Sequence, residues 1–197
     1  MNSFRTKAAI LAGALSIAAS AASAPMVMAA MPMQGAMGTK MVGGAAMYPT
    51  KTIVENAVNS KDHTTLVAAV KEAGLVDTLN GAGPFTVFAP TNAAFGKLPQ
   101  SAVADLMKPE NKAALAKVLT YHVVAGRHDA ADLMAMVKSG GGKAMLTTVE
   151  GDQLTVTQNG SGLWVADAKG DRAMVTIADV NQSNGVIHVV DTVLMPG

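Results

Sequence analysis

Two stretches decide the fold: Gly83-Pro84-Phe85-Thr86-Val87-Phe88-Ala89-Pro90-Thr91-Asn92-Ala93-Ala94-Phe95 and Asn184-Gly185-Val186-Ile187-His188-Val189-Val190-Asp191, with Tyr121-His122-Val123-Val124 between them. Phe85 to Ala89 is a short apolar run that reads as a buried strand, and Pro90, which has no N–H to donate, stops it. Thr91 or Asn92 is then placed to cap a helix, because either side chain can accept a free N–H of a first turn. His122 and His188 each lie inside an apolar run, where an unbonded imidazole is costly. Both are therefore expected to be buried and bonded, with the Thr91 and Asn92 side chains or backbone carbonyls at strand ends as partners.

Working outward, helices come first. Thr52-Ile53-Val54-Glu55 is a capping box, followed by an apolar stripe of Ile53, Val54, Ala57 and Val58. Asp62 is expected to cap a second helix with Leu66, Val67 and Val70 on one face, and Gly74 to end it. Ser101 starts a short helix. Pro109 fits the first turn of a longer one in which Leu115, Val118, Leu119 and His122 recur at i, i+3, i+4 and i+7, so His122 faces the core. Asp129 begins another, with Leu133, Met136 and Val137 inward. After Gly140-Gly141-Gly142 the period changes to two: Leu154 and Val156, Leu163 and Val165, Val175 and Ile177, separated by Gly151-Asp152, Asn159-Gly160 and Lys169-Gly170. Helices followed by a β-meander, with a strand near Val87 returning to the sheet, is an α+β arrangement whose helices cover one sheet face.

The quoted segments, in this order, resemble the fasciclin domain, and the resemblance runs from about Thr50 to Pro196. It implies a β-sandwich-like wedge with helices packed on one side, and an extracytoplasmic adhesion or interaction module without general catalytic activity or cofactor. Its implied partner is a cell-surface or matrix protein or a glycan. In that family a tyrosine-histidine pair flanked by branched apolar residues is assigned to integrin recognition. The matching residues are Tyr121 and His122, with Val118, Leu119, Val123 and Val124 around them. A second determinant, acidic then aliphatic, falls on Asp179 and Val180, although Ile177-Ala178 before it and Asn181 after it depart from the pattern. Thr91, Asn92 and His188 belong to the motifs and are assigned a structural role. The helical spacing of His122 favours packing over direct adhesion.

The chain has 197 residues, half of them apolar, enough for one sizeable core. Arg5 and Lys7, then an apolar stretch from Ala8 to Ala19 and small residues through Ala24 and again at Ala29-Ala30, have the layout of a secretory signal peptide over residues 1–29. That stretch is too short to span a bilayer. The expected location is secreted or periplasmic. Without Arg5 and Lys7 the 15 basic residues fall to 13 against 14 acidic ones, so no basic field for nucleic acid survives. The absence of cysteine excludes disulfides, thiolate metal sites and a cysteine nucleophile. Asn159-Gly160-Ser161 and Asn181-Gln182-Ser183 fit the N-glycosylation pattern, which matters only in a host that glycosylates.

Residues 30–49 read as a flexible Met/Gly-rich arm preceding a domain over 50–197. Seven of the 14 methionines fall between residues 25 and 47. Thioethers are soft ligands, so a copper carrier built on this arm is the alternative to a binding module. Neither a Gly-x-Ser-x-Gly elbow nor a His-Glu-x-x-His pair is present, and no enzymatic site is assigned. His63 follows a helix cap and His128 sits in a polar turn, which places both at the surface. Trp164 alternates away from Leu163 and Val165, so its indole is expected on the outer face of the meander, where it can anchor a partner or a sugar.

Overall fold

The computed structural model describes residues 39–197; the expected signal peptide and the arm as far as residue 38 lie outside the described residues. The chain opens with a small antiparallel hairpin, β1 (Lys40–Val42) and β2 (Ala45–Met47). Helices α1 (Ile53–Ala57), α2 (Thr64–Ala73) and α3 (Val76–Asn80) follow, with a 3-10 turn at Lys61–His63. Strand β3 (Phe85–Pro90) leads into α4 (Asn92–Gly96), α5 (Gln100–Leu106), a 3-10 turn at Pro109–Asn111 and α6 (Lys112–Tyr121). Strand β4 (Val123–Ala125), helix α7 (Ala130–Ser139) and strands β5 (Lys143–Thr147), β6 (Gln153–Asn159), β7 (Gly162–Ala166), β8 (Arg172–Gln182) and β9 (Gly185–Val190) complete it.

The seven longer-range strands form one mixed sheet in the order β4-β3-β9-β8-β7-β6-β5. The two deciding stretches are its centre: β3 runs parallel to β9, with Phe85 opposite Gly185 and Phe88 opposite His188. All six residues of β9 are buried, which accounts for its unbroken apolar run, because a strand covered on both faces has no polar side to show. Strand β3 divides its side chains between two cores. Val87 and Ala89 meet Leu66, Val70 and Leu119 of the helices, while Phe88 joins Leu133, Val137, Leu154, Val156 and Leu163. A bridge between Val124 and Thr148, with Val149 N–H donating to the Val123 carbonyl at 2.7 Å, brings the two sheet edges nearly together. The result is the expected α+β, sandwich-like wedge.

Two glycines stand where a side chain would be strained or would clash. Gly74 ends α2 at φ 73°, the left-handed conformation expected of it. A Cβ at Gly185 would overlap the Phe85 carbonyl across the parallel pair.

Several expectations need correction. Residues 40–47 are not a flexible arm: Val42 and Met47, each 3% exposed, are part of the helical core. In α1 the capping box is complete, but Asn56 is buried and Val58 is exposed, because the helix ends at Ala57. Asp62 does not cap α2. It lies within the 3-10 turn, and the Oδ1 of Asn92 accepts the Thr65 N–H at 3.0 Å instead. Helix α5 starts at Gln100 rather than Ser101. Strand β5, with Ala144 and Leu146 inward, was not expected.

Candidate functional site

The Tyr121-His122 pair closes α6, and the helical period that carries Leu115, Val118 and Leu119 inward carries His122 with them. His122 is 2% exposed. Its Nδ1 donates to the Val118 carbonyl at 2.7 Å, and its Nε2 accepts the Leu194 N–H at 3.0 Å. Both ring nitrogens are used, by backbone rather than by Thr91 or Asn92. Burial pushes the imidazole down to about 4, against smaller opposing effects of the Val118 carbonyl and Asp167. A second proton would also have to sit on the nitrogen that now accepts from Leu194. Tyr121 is fully buried, its hydroxyl donating to the Gln153 carbonyl and accepting the Ala168 N–H, both at 3.2 Å. The pair therefore ties α6 to the meander and to the C-terminal segment.

The second candidate pair lies on an irregular part of β8. Register shifts separate Val175, Ile177 and Val180 along the β8–β9 ladder, and within them Asp179 adopts φ 55°, the only positive φ among the non-glycine residues described. The extra residue re-aims its carboxylate. Asp179 Oδ1 accepts the Ala130 N–H at 2.6 Å, capping α7 from outside, a role expected of Asp129. The Asp179 N–H donates to His188 Nδ1 at 3.3 Å, and His188 Nε2 donates to the His128 carbonyl at 2.8 Å. His188 is fully buried and stacks on Phe88 at 5.6 Å. Burial lowers its pKa, with the His128 carbonyl, Asp179 and Asp129 opposing. Val180 is 1% exposed. Of this pair only Asp179 reaches the surface, half-buried.

Thr91 and Asn92 bind backbone, not histidine. Thr91 Oγ1 accepts the Ala94 N–H at 3.2 Å and caps α4. Asn92 donates to the Lys61 carbonyl at 2.8 Å while accepting from Thr65, so it fastens the 3-10 turn and the start of α2 to the end of β3. Asn184 acts alike. Its Oδ1 accepts the Ile53 N–H at 3.1 Å and its Nδ2 donates to the Leu79 carbonyl at 2.7 Å, joining α1 and α3 to the β8–β9 turn. Sequence reasoning passed over Asn184, although it opens the second deciding stretch.

His63 is not at the surface as expected: it is 3% exposed. Its Nδ1 meets Ser60 Oγ at 2.9 Å, while its Nε2 has no hydrogen-bond partner. Among the described residues no group of three His, Asp or Glu side chains is placed to hold a metal ion. The methionines of the arm before residue 39 lie outside the described residues, and Met47 is buried in the core.

Trp164 is placed as its alternation requires. Leu163 and Val165 point into the second core, and Trp164 stands half-buried on the other face, with Thr157 and Met174 as its cross-strand neighbours. Met145, 65% exposed, projects from β5 on the same face.

The profile of the fasciclin domain matches residues 61–196. The chain belongs to the fasciclin domain family. This fasciclin domain is 45% identical over 157 residues to protein sll1483 of Synechocystis sp., covering 79% of each chain. It is 36% identical over 172 residues to the cell surface glycolipoprotein MPB83 of Mycobacterium bovis, covering 83% of this chain and 67% of that one. The fold is shared with the FAS1 domain pair of the insect cell adhesion molecule Fasciclin I at a TM-score of 0.65 and 20% identity. That match covers 72% of this chain and 50% of the other. Among the described residues of the domain, no helix is long and apolar enough to cross a membrane.

Proposed function

We propose that this fasciclin domain is an exported binding module, secreted, periplasmic or at the cell surface, that recognises a protein or glycan through the outer face of its meander, with Trp164 as the anchor. The observation that carries the reading is the placement of the indole. It stands half-buried on the outer face of the meander between Thr157 and Met174, the same face from which the exposed Met145 projects two strands away. An aromatic ring brings a large apolar area and one N–H donor at little conformational cost, which suits it to a central contact. Tyr121, His122 and Val180 do not offer such a surface, since all three are buried. The cell-surface relative MPB83 and the adhesion molecule Fasciclin I lend the reading support.

The test is capture from the envelope or surface fraction of the source cell by the protein and by Trp164→Ala. The expected outcome is loss of capture with an unchanged thermal midpoint, because the outer face contributes little to the core. Protease or glycosidase treatment of the fraction then assigns the partner's class. Equal capture by both forms would overturn the assignment to this face.

A further inference from the structure

A cavity of about 50 Å³ lies between helices α1, α2 and α3 and the central strands β3, β9 and β8. Its wall is made of aliphatic side chains, Ile53, Leu66, Val70, Val87 and Ile187 among them, and of two imidazoles, His63 and His122. The two histidines differ. His122 has both nitrogens bonded to backbone, so it presents only carbon. His63 is bonded through Nδ1 to Ser60, and its buried Nε2 makes no bond of hydrogen-bonding geometry in a largely apolar wall, the Ala89 carbonyl lying near enough to the ring to favour its protonated form.

Water does not suit this space. A buried water needs two to four polar partners, and this wall offers one; an apolar cavity of such size stays dry and forfeits dispersion contacts. The complementary chemistry is a hydrocarbon body, which fills the void, with a single group able to bond one ring nitrogen. An ionic head does not fit the floor, because burial also lowers the His63 pKa, against weaker opposing effects of the Ala89 backbone and Asp62, and keeps the ring neutral. The void is larger than one water requires, and it reaches the surface at a rim where Val54, Ala57, Val67 and Val76 are half-buried and Lys71 is exposed.

We propose that this cavity binds a small neutral apolar molecule carrying one hydroxyl or carbonyl group, seating that group against His63 Nε2 and its first carbons among Ile53, Leu66, Val70 and Ile187, with the rest of a longer chain leaving through the rim at Val54 and Val67, because about 50 Å³ is roughly a third of an apolar cavity that takes benzene. The site is independent of the Trp164 face and does not rest on the adhesion reading.

The experiment titrates the protein with 1-hexanol and, separately, with hexanoate, following the ¹⁵N signals of the histidine rings and the amides of Val54 and Val67. The expected result is saturable binding of 1-hexanol that moves the His63 Nε2 signal, at least tenfold tighter than hexanoate. His63→Phe, which keeps the ring and removes the polar atom, should weaken 1-hexanol at least tenfold. Val67→Trp, a change at the rim that leaves the floor intact, should abolish binding. Should His63→Phe not fold, the wild-type Nε2 signal and Val67→Trp decide. Tighter binding of hexanoate than of 1-hexanol would move the polar contact to Lys71 and overturn the assignment to His63. Linear, non-saturating shifts, or saturation that leaves Nε2 unmoved, would overturn the site.

Discussion

His122 is held between the Val118 carbonyl and the Leu194 N–H, and a charged imidazole would need an acceptor where Leu194 now donates. Its pKa falls from 6.5 to about 4 on folding, so between those values the unfolded chain takes up a proton that the folded one refuses. Stability is therefore complete above about pH 6.5 and declines as pH falls toward 4, by about 3 kcal/mol at 1.36 kcal/mol per pKa unit. His63 and His188, also lowered by burial, act in the same sense. His122→Gln should be less stable at pH 7 and lose less on acidification, as urea midpoints at pH 7 and pH 4.5 will show; an unchanged pH slope would place the proton uptake elsewhere. The inward position of His122 was legible because it ends an unbroken helical period from Leu115. His63 was not legible, because a short 3-10 turn has no such period, and its burial comes from the hairpin and β3 closing over it. Nor could the sequence show that the partners of His122 and His188 are backbone groups, two of them, Leu194 and His128, more than fifty residues distant.

At the scale of elements, helices and meander strands were readable where one face is buried and the other wet, as in α6 or in β6 and β7. The strap between elements was not. Thr91 or Asn92 is the cap expected for the helix that follows β3; Thr91 fills that role, whereas Asn92 caps α2, twenty-seven residues earlier in the chain, and holds the Lys61 carbonyl as well. Asn92→Ala leaves α2 without its cap and is expected to cost about 0.5 to 2 kcal/mol, the usual range for a lost N-cap. Hydrogen exchange of the first-turn amides of α2, fastest at Thr65, locates the effect; equal protection in both forms would show that the strap contributes nothing. Phe88, by contrast, fills the space between the sheet halves against Leu133, Leu154 and His188. Phe88→Ala should cost about 3 to 5 kcal/mol by denaturant midpoint. A shift below ~1 kcal/mol would mean that the second core can collapse around the void.

For the whole molecule, the open question is where the domain begins. Composition alone made residues 30–49 a single low-complexity arm, since Met, Gly and Ala recur there without an apolar period, and the resemblance starts only near Thr50. Structure divides that stretch. The hairpin places Met41 and Met47 on opposite sides, Met41 61% exposed and Met47 3% exposed against the helical core. Its turn is fastened by Lys61 N–H to the Gly43 carbonyl at 3.2 Å, and Lys40 Nζ bonds the Ala178 carbonyl on β8. Two methionines six residues apart are thus expected to behave oppositely. Met47→Ala leaves a cavity beside the α1–α2 layer and should cost about 2 to 5 kcal/mol, while Met41→Ala should stay within about 0.5 kcal/mol. Urea unfolding of the two variants on one preparation measures this directly. If both changes are silent, the hairpin is no part of the core and the domain starts at Thr50. A large effect at Met47 alone moves its boundary to Lys40, upstream of the family match at residue 61, and withdraws Met47 from any set of free thioethers that a copper-binding arm would need.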